Sequence, residues 1–257
     1  MADLATAAML GLLLAAGAGF LGGAMNALAG GGTFATLPAL IALGLPANVA
    51  NATSNVALLP GAGASAWSFR KELEPLGGVG VRALAAITFA GGLVGSLLLV
   101  VTPSRAFDLI IPWLLLIAFV AIAFGAPASR WLEARVTIGR ATLVVVQAML
   151  GVYGGYFGGG VGIMTTATYG LLAGMNPRAM FAPRTLMLAV ANFAAAFVFI
   201  GFGLVHWVLA VPMLVGSVLG GWLGARLGKR LPHRLVWWWT LAVTGVTTVV
   251  FVVRAYG

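Results

Sequence analysis

Two glycine triplets, each followed by threonines, carry the chemistry this sequence most readily offers. Gly30-Gly31-Gly32 precedes Thr33 and Thr36, and Gly158-Gly159-Gly160 precedes Thr165 and Thr166. Glycine permits tight backbone and leaves amide N–H groups uncovered. Threonine hydroxyls can donate to oxyanion oxygens without the desolvation cost of a buried charge. A short apolar run follows each triplet, so each triplet marks the positive end of a short helix. Convergent helix N-termini bind anions, and a small anionic substrate is the ligand these residues suit. The competing use of the glycines is helix packing, which is how the pairs Gly19/Gly23, Gly91/Gly95, Gly154/Gly158 and Gly216/Gly220 read.

Other polar residues extend the candidate site. The stretch 48–55 is the most polar part of any apolar run, and Thr53, Ser54 and Asn55 either face a pathway or cap a helix. Its counterpart in the second half is 178–185, which brings Arg184 and Thr185 into the set. Arg184 is either an ordinary loop arginine or a guanidinium aimed at an oxyanion. Asn26 and Asn192 lie inside apolar runs, where buried amides need partners; Asn26 joins the candidate set, and both could equally glue helices together. His206 and His233 lack a second ligand at metal spacing, so neither a metal nor a cofactor is expected. The five acidic residues, Asp3, Glu72, Glu74, Asp108 and Glu133, all fall at expected ends or loops. An intramembrane carboxylate, common in proton-coupled carriers, is therefore not expected, and an anion fits better than a cation as cargo.

The elements that must hold these residues are set by composition. Of 257 residues, 61% are hydrophobic and 7% charged. No water-soluble surface can be built from that mixture, so the partner is a lipid bilayer. The net charge of +9 sits in short clusters between apolar runs, with no basic face to track a phosphate backbone, and excludes nucleic acid as a partner. There are no cysteines. The first run is too long for a signal h-region and lacks a basic n-region, so it reads as a retained helix. Breaking the chain at charges, glycine clusters and prolines gives ten segments: 4–29, 33–44, 49–69, 79–101, 107–125, 141–157, 161–174, 185–205, 207–225 and 235–253. A crossing takes about 20 residues, so the second and seventh are short. If both still reverse the chain, the fourteen Lys and Arg divide 12 to 2 between the two sides; if not, they divide 7 to 7. The positive-inside rule selects ten crossings, with both termini outside. Trp237-Trp238-Trp239 reads as part of an interfacial aromatic belt.

The two halves echo each other. Besides the triplets, offset by 128, the string 91–95 matches 220–224 at 129, 103–105 matches 232–234 at 129, and 44–46 matches 174–176 at 130. Five segments per copy is odd, so the second copy enters from the opposite side. The expected fold is an all-α polytopic membrane bundle of two inverted repeats, 1–125 and 141–257, joined by a cytoplasmic linker at 126–140. Inverted repeats with broken helices are an architecture of secondary transporters. The triplets would then lie at membrane depth, where non-helical backbone must line a cavity or be buried in protein.

The residues that carry these patterns resemble a known family. Gly30-Gly31-Gly32 with Pro38, then Leu43-Gly44-Leu45-Pro46 and Ala52-Thr53-Ser54, is similar to the first half of the TauE/SafE sulfite exporter family; 155–160 with Gly174 resembles its second half. The resemblance implies a multi-pass transporter of the bacterial inner membrane for sulfur-containing anions, sulfite or sulfonates. One departure stands out: Pro183-Arg184 occupies the position equivalent to Thr53-Ser54. A passive anion channel is the alternative within transport. A membrane scaffold or enzyme is the alternative outside it, although no paired nucleophile and base occurs at recognisable spacing. Oligomeric state is left open.

Overall fold

An apolar run in hydrocarbon must satisfy its backbone internally, and helices are how this chain does so. A computed structural model describes residues 2–133, 139–173, 180–228 and 231–257, with side chains for all of these but 2–4, 125–133, 167, 170–173, 181, 228 and 233. Among the described residues the elements in order are α1 (Ala2–Leu28), α2 (Thr33–Ala42), α3 (Ala47–Ser68), a 3-10 turn (Arg70–Glu72), α4 (Val81–Val101), α5 (Ser104–Glu133), α6 (Arg140–Tyr156), α7 (Val161–Ala173), α8 (Phe181–Gly201), α9 (Trp207–Gly228) and α10 (His233–Tyr256). All ten expected segments are present as helices. α5 continues through 126–133, into the stretch read as a linker. The rest of that linker at 134–138, together with Gly174, Asn176 and Arg178, lies outside the described residues.

Six helices are long and apolar enough to cross a membrane unaided: α1, α4, α5, α8, α9 and α10. Their outward faces carry large apolar side chains, such as Leu13, Val101, Trp113, Val215 and Val249, as lipid requires. α2 has 10 residues, about 15 Å of helix, and α7 has 13, about 20 Å. Neither covers roughly 30 Å of hydrocarbon alone.

Glycine sets the packing. On α1, a methyl group at Gly19 or Gly23 would overlap the carbonyl oxygen of Met213 or Ser217 on α9, and one at Gly216 or Gly220 would overlap that of Ala16 or Phe20. The α4·α6 pair is built the same way: Gly95 lies on the Val152 carbonyl and Gly155 on that of Gly92. Backbones this close leave room for no side chain. The contacts also recur along the sequence. Gly23·Ser217 returns as Gly151·Thr88, Gly220·Phe20 as Gly91·Ala148, and Gly224·Ala24 as Gly95·Val152, each residue displaced by 128 or 129. Gly154/Gly158 behaves differently. Gly154 packs on Ala191 and Val161, while Gly158 has left the helix with φ of +75°.

The order of contacts gives the direction of each helix. Gly19 and Gly23 meet Met213 and Ser217 in that order, so α1 and α9 are parallel. Ser217 Oγ donates to the Ala57 carbonyl at 2.6 Å and Gly61 faces Gly221, so α3 is parallel to α9 and hence to α1. The chain must therefore reverse within α2. In the second half α4 is parallel to α6 and also to α8, where Thr88 meets Met187 and Gly92 meets Ala191. The chain reverses again within α7. These are the directions of ten alternating passes; without reversal at α2 and α7, α3 and α9 would be antiparallel.

This arrangement gathers Arg70, Lys71, Arg82, Arg140, Arg226 and Arg234 at one end of the bundle, and Arg105 and Arg254 at the other. At the basic end Arg70 stacks on Trp67 at 4.1 Å and Arg226 on Trp222 at 3.7 Å. Trp238 and Trp239 are exposed nearby, while Trp237 turns inward to donate to the Ile122 carbonyl at 3.0 Å. At the other end Arg254 pairs with Asp108 at 3.5 Å, and Tyr256 accepts from Trp113 Nε1 at 2.9 Å.

Because the chain has no cysteine, Lys71→Cys and Gly257→Cys provide clean reporters of topology. A membrane-impermeant maleimide applied to intact cells should label position 257 and reach position 71 only after permeabilisation. Labelling of both in intact cells would mean that α2 and α7 do not reverse the chain across the membrane.

Candidate functional site

The two glycine turns meet in the interior. Gly30, Gly158 and Gly160 have φ of +84°, +75° and +77°, a region where a side chain costs roughly 1–2 kcal/mol. All six triplet glycines are buried. A methyl group built on Gly30 would stand 2.8 Å from the Cα of Gly162, so the turn before α2 rests on the first turn of α7. The Phe34 ring fills the space between Gly31 on one side and Gly159 and Gly160 on the other, where added methyl groups would lie 2.9, 3.1 and 3.0 Å from it. Phe34 is missed by the sequence reading, because a phenylalanine in an apolar run gives no signal.

First-turn amides have no intrahelical acceptor. Asn26 Oδ1 on α1 accepts from the N–H of Gly32, the residue before α2, at 2.8 Å, so Asn26 ties the end of α1 to the start of α2. The amides of Gly31, Thr33, Gly159, Gly160, Val161 and Gly162 have no acceptor among the described residues. Two clusters of uncovered N–H groups at two positive helix ends thus lie side by side, in protein rather than water. An anion is the ligand such an arrangement stabilises.

The hydroxyls divide into two groups. Thr36 Oγ1 reaches Ser54 Oγ at 2.5 Å and the Gly32 carbonyl at 3.2 Å, tying α2 to α3. Thr33 is buried beside it. Thr165 and Thr166 donate to the carbonyls of Val161 and Gly162 at 2.7 and 2.8 Å, and Thr185 to that of Ala182 at 3.0 Å. Those protons serve the helix, so donation to a ligand would require each hydroxyl to rotate.

On α3 the capping alternative is not observed: Pro46 occupies the N-cap, and Thr53, Ser54 and Asn55 are buried in the second and third turns. Each binds another element. Thr53 Oγ1 accepts from the His206 N–H at 3.0 Å, and Asn55 Nδ2 donates to Asn192 Oδ1 at 3.3 Å, so Asn192 does join two helices. Asn51, part of the polar stretch 48–55 but not among the candidate residues, donates to the Tyr156 carbonyl at 3.0 Å. A second buried network was also missed: Tyr169 donates to Gln147 Oε1 at 2.9 Å and Gln147 Nε2 to Thr88 Oγ1 at 2.6 Å. A glutamine inside an apolar run is the signal that could have found it.

Arg184 is not an exposed loop residue. α8 starts at Phe181, four residues before the apolar run does, which places Arg184 in the first turn at 7% exposure. One turn further along, Leu188 belongs to the same buried apolar cluster as Val161, the first residue of α7. The described acidic residues Glu72, Glu74 and Asp108 are all outside the core.

Replacing Gly158 with alanine should lower the melting temperature of the purified protein by an amount equivalent to about 1–2 kcal/mol, from its positive φ. Asn26→Ala should cost about 1 kcal/mol or more by leaving the buried Gly32 amide without its acceptor. Gly201→Ala, with open space around it, is the control and should melt like the parent. Equal melting of all three would contradict the turn geometry.

Comparison with known proteins agrees with this geometry. The sulfite exporter TauE/SafE family model matches residues 15–251. A probable membrane transporter protein, ORF9, of a Sinorhizobium species is 30% identical over 226 residues, covering 86% of this chain and 83% of its own length. A probable membrane transporter protein of Haemophilus influenzae is 28% identical over 207 residues, 79% of each chain. The probable membrane transporter protein YfcA of Escherichia coli K12 is 29% identical over 202 residues, 78% of this chain and 74% of its own. No solved structure matches. With a bundle of apolar helices and a family match over most of its length, the chain is a multi-pass membrane transporter and belongs to the sulfite exporter TauE/SafE family.

Proposed function

We propose that this transporter carries a small sulfur-containing oxyanion, sulfite or an organosulfonate, at a site between the N-terminal ends of α2 and α7. The observation that carries the proposal is the meeting of the two glycine turns, with buried amides uncovered on both sides. A pyramidal or tetrahedral oxyanion has oxygens enough to accept from both clusters at once. The candidate ligands are the amides of Gly31, Thr33 and 159–162, the hydroxyls of Thr33, Thr36, Ser54, Thr165, Thr166 and Thr185, and the guanidinium of Arg184. The family's name supports sulfite as the first anion to test.

Two inverted five-helix copies, 1–125 and 141–257, fit this reading. The recurrence of the α1·α9 contacts in α4·α6, at one offset and with the chain reversed at α2 and at α7, supports them. Alternating access then consists of rocking the two short helices around a fixed anion, exposing it first to one side and then to the other. The crowding of basic residues at one end supports a cytoplasmic position for that end, and the inner membrane of a bacterium is the fitting location.

Proteoliposomes loaded with sulfite should exchange it with external sulfite faster than protein-free vesicles, with saturation and with acceleration by sulfite on the far side. Arg184→Gln should raise the KM by about tenfold or more, the worth of one charge-assisted hydrogen bond. Flux that stays linear in concentration would identify a channel instead. A normal KM in the variant would remove Arg184 from the site.

A further inference from the structure

Two side chains of α3 face the buried turn between α6 and α7 and use only part of their hydrogen-bonding capacity. Asn51 is 1% exposed and Asn55 4%, and one helical turn apart they share a face. Asn51 Nδ2 donates to the Tyr156 carbonyl at 3.0 Å and Asn55 Nδ2 to Asn192 Oδ1 at 3.3 Å. These donations turn each carboxamide with Nδ2 toward its acceptor, and because the Tyr156 carbonyl can only accept, the orientation of Asn51 is fixed. They leave Oδ1 of both residues with no donor among the described residues. A buried amide oxygen without a partner costs about 1–3 kcal/mol, so two on one face mark a place that receives something.

Building on the anion reading above, we propose that Asn51 Oδ1 and Asn55 Oδ1 are ligands of a monovalent cation, sodium foremost, bound together with the transported anion. The donor set suits that charge. Neutral carbonyl oxygens hold monovalent cations, whereas buried divalent ions call for carboxylates; among the described residues there is no cluster of His, Asp or Glu to supply them. Two further oxygens lie in the same hydrogen-bond network. The Tyr156 carbonyl and Asn192 Oδ1 each accept from one of these asparagines and each retain a second lone pair.

The helix ends favour the same assignment. Tyr156 is the last residue of α6 and Val161 the first of α7, so the short turn between them presents a negative helix end and a positive one. Asn55 lies against that turn, with Nδ2 3.2 Å from where a methyl group on Gly158 would stand. A cation beside the α6 end and an anion at the α7 amides neutralise each other within a medium of low dielectric constant. Each therefore improves the binding of the other, and linkage makes the effect reciprocal. Carriers with broken helices divide the labour in this way, amides for the anion and carbonyls for the ion. Coupling by such a pair requires no buried carboxylate.

The test begins with the cation alone. The purified wild-type protein, without any sulfur anion, should melt about 3 °C or more higher in sodium chloride than in choline chloride of equal ionic strength. The shift should disappear in Asn51→Ala and persist in Ser68→Ala, a change on the same helix far from the turn. Sulfite exchange in proteoliposomes should then fall at least tenfold when choline replaces sodium. Equal melting of the wild type in the two salts would overturn the proposal, whether or not Asn51→Ala folds. So would a sodium shift retained in Asn51→Ala, or exchange driven equally in choline by a pH gradient. A sodium shift in a protein that moves no sulfite in either salt would retain the cation site and contradict the anion reading instead.

Discussion

Irregular backbone cannot face lipid, and that constraint organises the whole bundle. The turns at 30–32 and 158–160 interrupt helices inside an apolar chain, and each interruption exposes N–H groups that hydrocarbon cannot satisfy. The remaining helices serve to cover them. α1·α9 and α4·α6 pack backbone on backbone through glycine, which draws both turns into the interior. Phe34 fills the space between them, and Ala118 of α5 and Thr247 of α10 close over it, with Thr247 donating to the Phe34 carbonyl at 3.4 Å. Among the described residues the interior keeps a set of uncovered amides and the two carboxamide oxygens of Asn51 and Asn55, groups through which a transporter can recognise ions.

The two halves share a packing scheme and differ where chemistry is expected. In the proposed repeat, Pro183-Arg184 stands where the first half has Thr53-Ser54. The network of Gln147, Tyr169 and Thr88 fixes α7 to the α4·α6 pair, while the corresponding position on α1 is Gly19, packed on Met213. Phe34 has Gly162 as its counterpart, so the aromatic plug occurs on one side only. A carrier with symmetric packing and asymmetric contacts can hold its two access states at unequal energies, since each short helix is restrained by different bonds.

Much of this architecture was legible in the residues. Apolar runs mark helices because lipid leaves the backbone no alternative, and the distribution of arginine and lysine identified the two reversals that segment length alone left ambiguous. Glycine spacing gave Gly19/Gly23 and Gly91/Gly95 as contacts. The site was less legible, because polar groups in a bundle are defined by partners far apart in sequence. Arg184 stayed open between a loop arginine and an anion ligand because its charge ended the apolar run, although the helix starts earlier. Thr165 and Thr166 read as donors, but their nearest acceptors are carbonyls of their own helix. Asn51 and Asn55 differ from capping asparagines only through Tyr156 and Asn192, more than 100 residues away.

The central claim is that an oxyanion binds between the two glycine turns, and direct location of such an anion tests it best. Selenite has the charge and pyramidal shape of sulfite and scatters X-rays anomalously. A crystal of the protein grown with selenite should show an anomalous peak within hydrogen-bonding distance of the amides of Gly31, Thr33 and 159–162, and excess sulfite should displace it. Anomalous density confined to the arginine-rich end of the bundle, with none between the turns, would contradict the account.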